Sequence, residues 1–363
     1  MNVPWALPYW GKEENDLVMR TLESGWLSQG KNVEALERRV AMLTGSPFTV
    51  AVNSGTAALD TALKLLHVQA GDEILVPAFA YIASVNCILY QGAIPVFVDI
   101  DPITFNIDVE DAEQKISKKT KGIIALDYAG HSANWQTLRK LAEQHQLFLL
   151  EDAAPGFGGT YKGQPLGTVG DIGITSFHTA KIFNSVEGGM LMIKDEELAY
   201  RARIIRSQGE SPDIKYQHLE LGHNYRMSDL HAAIGLAQLQ RYDDVLNKRT
   251  AIAQFYSENI SSPATIPRVL SDNKHAWFLY PLLVKNRDQV RALLNECGIS
   301  TNVSWPHPCY KHKHLQKFFR ESCPVTEKIC TQVICLPLYY TMTEKEAEYV
   351  VTNLNKITKE VFL

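Results

Sequence analysis

Lys181 closes the run Ser176-Phe177-His178-Thr179-Ala180-Lys181, a loop of small and polar residues directly after an apolar segment. A lysine whose surroundings deprotonate it can form a Schiff base with a carbonyl, whereas a lysine left in water is only a surface charge. Glu151-Asp152 ends a second apolar run, Leu147 to Leu150, and small Ala153-Ala154 follows. A carboxylate buried there requires a cation or a donor. The protonated ring nitrogen of a cofactor meets that need, and so does a helix start. A third run, Asn53-Ser54-Gly55-Thr56-Ala57-Ala58-Leu59, turns a strand into a helix through small polar residues. Free N–H groups and the helix dipole make such a turn a phosphate site, and the same residues also make an ordinary N-cap. The fourth run is Gly222-His223-Asn224-Tyr225-Arg226-Met227-Ser228-Asp229. Ser228 or Asp229 caps the helix that follows, and Asn224 and Arg226 have no local use.

These residues need elements to position them, and the sequence alternates. Helical periods over Glu13–Glu23 and Val33–Leu43 precede a strand at Thr49–Val52 and a helix at Ala57–Leu66. Strands follow at Glu73–Val76, Pro95–Asp99, Gly122–Leu126, Leu147–Leu150, Ile172–Phe177 and Gly189–Ile193, with helices through Ile88 and over Trp135–His145. Strands spaced by helices imply parallel βαβ units, whose ligands sit beyond the carboxyl ends of the strands. Past Leu230 the pattern predicts one long helix from Ser228 to Ile260, broken by Pro263 and Pro267. A strand at Trp277–Val284, a helix at Gln289–Cys297, a strand at Thr301–Trp305 and a helix from Glu344 to Lys359 complete the chain. We expect a large domain over residues 1–245 and a small one over 246–363.

Composition bounds the answer. With 363 residues, 45% of them hydrophobic, the chain exceeds the size at which one core usually stops growing. The 36 Lys and Arg nearly balance 40 Asp and Glu, which argues against sequence-independent nucleic-acid binding. No apolar run is long enough to span a membrane. Met1-Asn2-Val3-Pro4-Trp5 shows no basic segment leading into an apolar one, and the six cysteines are irregularly spaced. The expectation is a cytoplasmic enzyme with free thiols.

The order of the parts is specific: phosphate turn, aromatic loop with Phe79 and Tyr81, carboxylate, then lysine. Pyridoxal 5′-phosphate uses each of them. The sequence resembles the sugar-nucleotide aminotransferase family of the DegT/StrS type nearly end to end. The resemblance is carried by Ser24-Gly25-Trp26-Leu27-Ser28-Gln29-Gly30, Ser54 to Leu59, Gly71-Asp72-Glu73, Pro77 to Asn86, Val98 to Asp101, Glu151 to Ala154, Ser176 to Lys181, Asn224 to Asp229 and Cys335-Leu336-Pro337-Leu338. It implies an α/β chain of the fold type I pyridoxal-phosphate transferases, with a large, mostly parallel sheet domain flanked by helices and a smaller α+β C-terminal domain. It further implies that Lys181 is the Schiff-base lysine and Asp152 the partner of the ring nitrogen. Tyr81 stacks on the ring, Gly55, Thr56 and Ser176 hold the phosphate, and Asn224 reaches the cofactor phosphate of the neighbouring subunit of a homodimer. The implied substrates are L-glutamate and a nucleotide-linked keto-sugar, with no nucleic acid, membrane or metal involved.

Two positions depart from the family pattern. Pro155 stands where a polar side chain usually follows Glu-Asp-Ala-Ala. Val186 replaces the first glycine of a Gly-Glu-Gly-Gly turn, from which we expect that the glycine conformation is not required there. His178 and Glu187 resemble members that aminate C4 of a 4-keto-6-deoxy sugar, whereas Tyr and Asp mark members acting at C3. Lys181 argues against a lysine-lacking deoxygenating branch. Together with Asp152 and Asn224 it also argues against a non-catalytic regulator. A nicotinamide dehydrogenase lacks its Gly-x-Gly-x-x-Gly here. The cluster His307, Cys309, His312 and His314 fits no closed zinc motif, and with Lys311 and Lys313 it reads either as a basic loop near the nucleotide diphosphate or as a solvated loop without a role.

Overall fold

Seven strands form one sheet in the order β1-β9-β8-β5-β4-β2-β3 in the computed structural model. Residues 1–261, 264–265, 268–271 and 273–362 are described. Pro263 and Pro267, expected to break a helix, lie outside them. The strands are β1 (Phe48–Val52), β2 (Glu73–Pro77), β3 (Ile94–Val98), β4 (Thr120–Leu126), β5 (Phe148–Asp152), β8 (Ile172–Ser176) and β9 (Gly189–Ile193). Between β5 and β8 lie the short strands β6 (Thr160–Tyr161) and β7 (Gln164–Pro165), which join β10 (Asn273–Lys274) in a separate ribbon. Only β9 runs against its sheet neighbours. That reversal brings Val52, Ser176 and Gly189 to one edge of the sheet, paired Val52 to Gly189 and Ser176 to Gly189.

The helices follow from the spacing of apolar positions. α1 (Lys12–Ser24) and α2 (Lys31–Thr44) each end at a left-handed glycine, Gly25 and Gly45. α3 (Gly55–Leu65), α4 (Ala83–Tyr90) and, further on, α7 (Glu196–Arg206) cover one face of the sheet, and α5 (Val109–Gln114) and α6 (Trp135–His145) pack on the other. Alternation along the strands feeds both layers. Ile74 and Val76 join Leu59 and Leu63 of α3, while Leu75 joins Trp135 and Leu138 of α6. The helices α5 and α7 were not anticipated.

The long helix expected over Ser228–Ile260 is two helices, α8 (Asp229–Gln240) and α9 (Tyr242–Asn259). Arg241 departs from helical geometry between them, and its guanidinium pairs with Glu13 and Glu14 of α1. The rest of the chain carries β11 (Tyr280–Leu283), α10 (Arg287–Glu296), α11 (Pro324–Gln332), β12 (Val333–Leu336) and α12 (Glu344–Phe362). β11 starts later than expected because Trp277 adopts a φ of +54°, which no strand contains. The expected strand Thr301–Trp305 is absent: a single bridge joins Asn302 to Cys335, and Trp305 turns into an aromatic cluster with Phe79 and Tyr128.

A separate core cluster joins Ala253, Tyr256, Tyr280, Leu294, Ile334 and Leu354. Val3 belongs to it, fully buried, with its N–H donating to the Gly298 carbonyl at 2.9 Å and its carbonyl accepting from the Ser300 N–H at 2.9 Å.

Candidate active site

The two carboxylates that end β5 part company. Side chains alternate along a strand, so Glu151 and Asp152 face opposite sides of the sheet. Glu151 is structural: its oxygens accept the N–H groups of Gly167 (2.6 Å), Val169 (2.7 Å) and Gly170 (2.8 Å). Asp152 is also buried, with Oδ2 accepting the Ser84 hydroxyl at 2.6 Å and Oδ1 the Ala154 N–H at 3.1 Å. Burial pushes the Asp152 carboxyl up, and Ser84, Lys181 and Ala154 oppose that shift. Ser84 was missed by sequence reading. Its only local signal is a hydroxyl in the otherwise apolar first turn of α4.

Lys181 lies in the hairpin between β8 and β9. Its N–H donates to the His178 carbonyl at 2.8 Å, which closes a tight turn. The amine is half-buried in a cleft walled by Trp5, Tyr9, Phe278, Leu338 and Tyr339, and Nζ stands 4.5 Å from the centre of the Phe278 ring. Burial brings its pKa down to about 8 while Asp152 pulls it upward. A lysine at that value is partly neutral near physiological pH and is therefore a competent nucleophile and proton carrier.

The small polar turn caps a helix and still has donors left over. Ser54 Oγ accepts the Ala57 N–H at 3.0 Å, as the N-cap of α3. The N–H groups of Gly55 and Thr56 have no acceptor among the described residues. A Cβ at Gly55 would stand 2.9 Å from the Cβ of Ser176, so the turn and the Ser176 hydroxyl lie against one another. Two free helix N-terminal donors beside a hydroxyl suit a phosphate dianion. Asp152 and Lys181 suit a protonated pyridine and its carbonyl. The residues present therefore fit pyridoxal phosphate.

Tyr81 and Asn224 stand apart from these groups in the single chain. Tyr81 is 61% exposed, and the Asn224 side chain is exposed while its carbonyl accepts from Asn53 Nδ2 at 3.2 Å. The open choice of cap for α8 resolves into two caps. Ser228 caps α8, accepting the His231 N–H at 3.3 Å, and Asp229 reaches back to accept the N–H groups of Gly30, Asn32 and Val33 at the start of α2. His178 and Glu187 approach to 3.8 Å at the exposed rim.

Val186 corrects one expectation. It adopts a φ of +69°, the left-handed conformation that its glycine counterpart would supply. The turn therefore does require that conformation, and here a β-branched residue takes it. Its carbonyl accepts the Thr179 N–H at 2.9 Å and the Thr179 hydroxyl at 3.1 Å, which hold it there. The cysteine of the His307–His314 cluster faces inward: the Cys309 N–H donates to the Ala78 carbonyl at 2.9 Å, and its thiol contacts the Ala80 carbonyl at 3.3 Å. No three His, Cys, Asp or Glu side chains among the described residues could hold a metal.

The model of the DegT/DnrJ/EryC1/StrS aminotransferase family matches residues 8–355. The chain belongs to that family. It is 33% identical to the GDP-perosamine synthase of Escherichia coli O157:H7, covering 98% of each chain. It is 35% identical to the dTDP-3-amino-3,6-dideoxy-alpha-D-galactopyranose transaminase of Aneurinibacillus thermoaerophilus, covering 95% of each. Among solved structures, Spr1654 of Streptococcus pneumoniae in its PLP-form superposes with a TM-score of 0.96 at 30% identity, covering 99% of this chain and 100% of that one. The same protein in its PMP-form gives the same TM-score and identity. Like other members of the DegT/DnrJ/EryC1/StrS aminotransferase family, this protein is an enzyme.

Proposed function

We propose that this protein, with pyridoxal 5′-phosphate as cofactor, moves an amino group from L-glutamate to the keto-sugar of a nucleoside-diphosphate sugar. The observation that carries the reading is the arrangement at one sheet edge. A buried Asp152 and two unused N–H groups beside Ser176 lie at the ends of neighbouring strands, and Lys181, of lowered pKa, is near enough to Asp152 to feel its charge. When bound, pyridoxal phosphate supplies the carbonyl carbon that receives the amino group and a ring that takes up electrons.

The chain's residues do the rest. Gly55, Thr56 and Ser176 anchor the phosphate with N–H and O–H donors. Asp152, kept in place by Ser84 and Ala154, holds the proton on the ring nitrogen. Lys181 would hold the cofactor at its amine, and that amine, partly neutral near physiological pH, would move a proton as base and then acid. Near pH 7 about a tenth of such an amine is neutral, against about 0.04% for an ordinary lysine. Tyr81 stacks on the ring, and Asn224 completes the phosphate site of the neighbouring subunit in a homodimer. Its exposure in the single chain accords with that role. Residues 246–363 form the smaller domain and wall the cleft through Phe278, Leu338 and Tyr339.

We favour amination at C4 of a 4-keto-6-deoxy sugar destined for a surface glycan, on the strength of His178 and Glu187. The alternative is C3, in keeping with the name of the Aneurinibacillus relative. The exposed loop with His307, Lys311, His312, Lys313 and His314 serves the diphosphate. The test begins with the visible spectrum. The wild-type protein incubated with pyridoxal phosphate should turn yellow and be bleached by glutamate, and Lys181→Ala should do neither and lose turnover. A wild type that stays colourless refutes the reading. NMR of products from a panel of keto-sugar nucleotides then decides between C4 and C3.

A further inference from the structure

Arg249 is buried in α9 with 6% of its surface exposed, and it lines the same cleft as Lys181. No carboxylate pairs with it among the described residues. Its partners are backbone carbonyls: Nε donates to Trp277 at 2.7 Å and Nη2 to Phe278 at 2.9 Å. A buried guanidinium without a counter-ion is costly, and burial lowers its pKa to about 9. A charge kept under those terms needs a use beyond packing.

The segment it grips is held from every side. Trp277 has a φ of +54°, a conformation that costs a bulky residue energy unless its surroundings enforce it. Buried His275 stacks on the Trp277 ring at 3.9 Å, and its Nδ1 accepts the Trp277 N–H at 2.8 Å. The Ala276 N–H donates to the Gly130 carbonyl at 2.9 Å, and the Leu279 N–H to the Ala129 carbonyl at 3.1 Å. Gly130 admits the strand-like chain so closely that a Cβ there would stand 2.8 Å from the Trp277 nitrogen. Phe278 and Leu279 of this segment line the cleft with the lysine, and the centre of the Phe278 ring lies 4.5 Å from Nζ.

We propose that Arg249 is a positioning residue for Lys181: by fixing the Trp277 and Phe278 carbonyls it holds the Phe278 ring as the apolar wall against the lysine amine. The wall keeps water from one side of Nζ and limits the directions in which the amine swings. The inference rests on the reading of Lys181 as the reactive amine. The ionisable groups around that amine are Asp152, whose charge it feels, and Arg241, Arg249, Tyr9, Tyr339 and Tyr340, which line its cleft. Asp152 favours the charged amine and burial the neutral one, so opening the wall to water should move the titration of Lys181 upward.

The decisive measurement uses the full chain without cofactor, with reductive methylation of Lys181 followed against pH by mass spectrometry, and the pH profile of kcat in the loaded enzyme beside it. Wild-type Lys181 should titrate near 8, the position burial gives it. Phe278→Ala should shift that midpoint toward the ordinary lysine value, and Arg249→Gln should shift it in the same direction with Phe278 still present. For each, kcat should fall about 10-fold with KM changed less than about 2-fold, the signature of a misplaced reacting group. The double variant should add little to either single one, because both act through the same ring. Arg249→Lys, which keeps a charge but not the two-carbonyl grip, carries the same test if Arg249→Gln does not fold. Folded Arg249 variants whose Lys181 titration and kcat profile match wild type overturn the proposal. Loss of turnover in Lys181→Ala, with that result, leaves the reading of Lys181 standing; retained turnover in Lys181→Ala removes the reading itself.

Discussion

At the scale of single residues, two side chains carry measurable tension. Val186 stands in the left-handed region at 38% exposure, so little apolar contact is lost on shortening it. Left-handed geometry costs an L-residue about 1–2 kcal/mol, and a glycine gives back about 0.4–1 through the freedom of the unfolded chain. Val186→Gly should therefore hold stability level or raise it by up to about 1 kcal/mol, read as the midpoint of denaturant unfolding. A clear loss would show the turn to be unstrained. Asp127 is the second case. Fully buried beside Glu151, it has one oxygen accepting the Ala133 N–H and the Trp135 indole, while the other has no donor among the described residues. Burial, then the Glu151 charge, pushes its carboxyl well above the usual range. The folded state thus keeps a proton that the unfolded chain releases above pH ~4, so stability declines as pH rises from there toward the folded value. Asp127→Asn retains the acceptor and removes the titration. It should lose less stability than wild type as the pH is raised from about 4 in paired urea melts, and parallel losses would refute the assignment.

At the scale of elements, the turn into α3 is where local code and tertiary contact meet. Gly55 is needed for closeness to Ser176 rather than for a special φ. Gly55→Ala should cap and fold nearly as before but push the hydroxyl away from the free N–H groups. The expected outcome is weaker pyridoxal phosphate binding by about 10-fold, measured by fluorescence titration, with a smaller change in melting temperature. Unchanged affinity would count against the phosphate site. Most helices and sheet strands were legible because apolar periodicity is a local property. The burial of Asp152 was legible too, as a carboxylate ending an apolar run before small neighbours. Ser84 was not, because its partner Asp152 lies 68 residues away in sequence. Arg249 reads as one more charge on an exposed-looking helix, since nothing near it in sequence announces the carbonyls of Trp277 and Phe278. The break between α8 and α9 was hidden for the same reason: Glu13 and Glu14 that hold Arg241 are on the first helix.

At the scale of the whole molecule, the cleft is assembled from distant parts of the chain. The β8–β9 hairpin gives Lys181, while Trp5 to Tyr9, Arg249, Phe278, Leu338 and Tyr340 supply walls. A mostly parallel sheet could be expected from the alternation of strands and helices, but the antiparallel β9 that brings Val52 and Ser176 to Gly189 could not, because alternation says nothing about direction. Removing residues 1–5 deletes fully buried Val3 and its two backbone hydrogen bonds. The loss should be about 2–4 kcal/mol of stability, together with a more open cleft and a raised KM. A truncated protein that melts with wild type would show the segment to be dispensable.

The seating of Val3 between Gly298 and Ser300 also governs when the enzyme can come into being. During synthesis the ribosome releases Val3 long before its two neighbours exist, so this early segment waits while the large sheet forms behind it. Only after residue 300 has left the exit tunnel can the loose end dock and the mouth of the cleft take shape. The parts of the cleft are therefore made in order: the sheet-edge residues first, and the walls at Phe278, Leu338 and Tyr339 last.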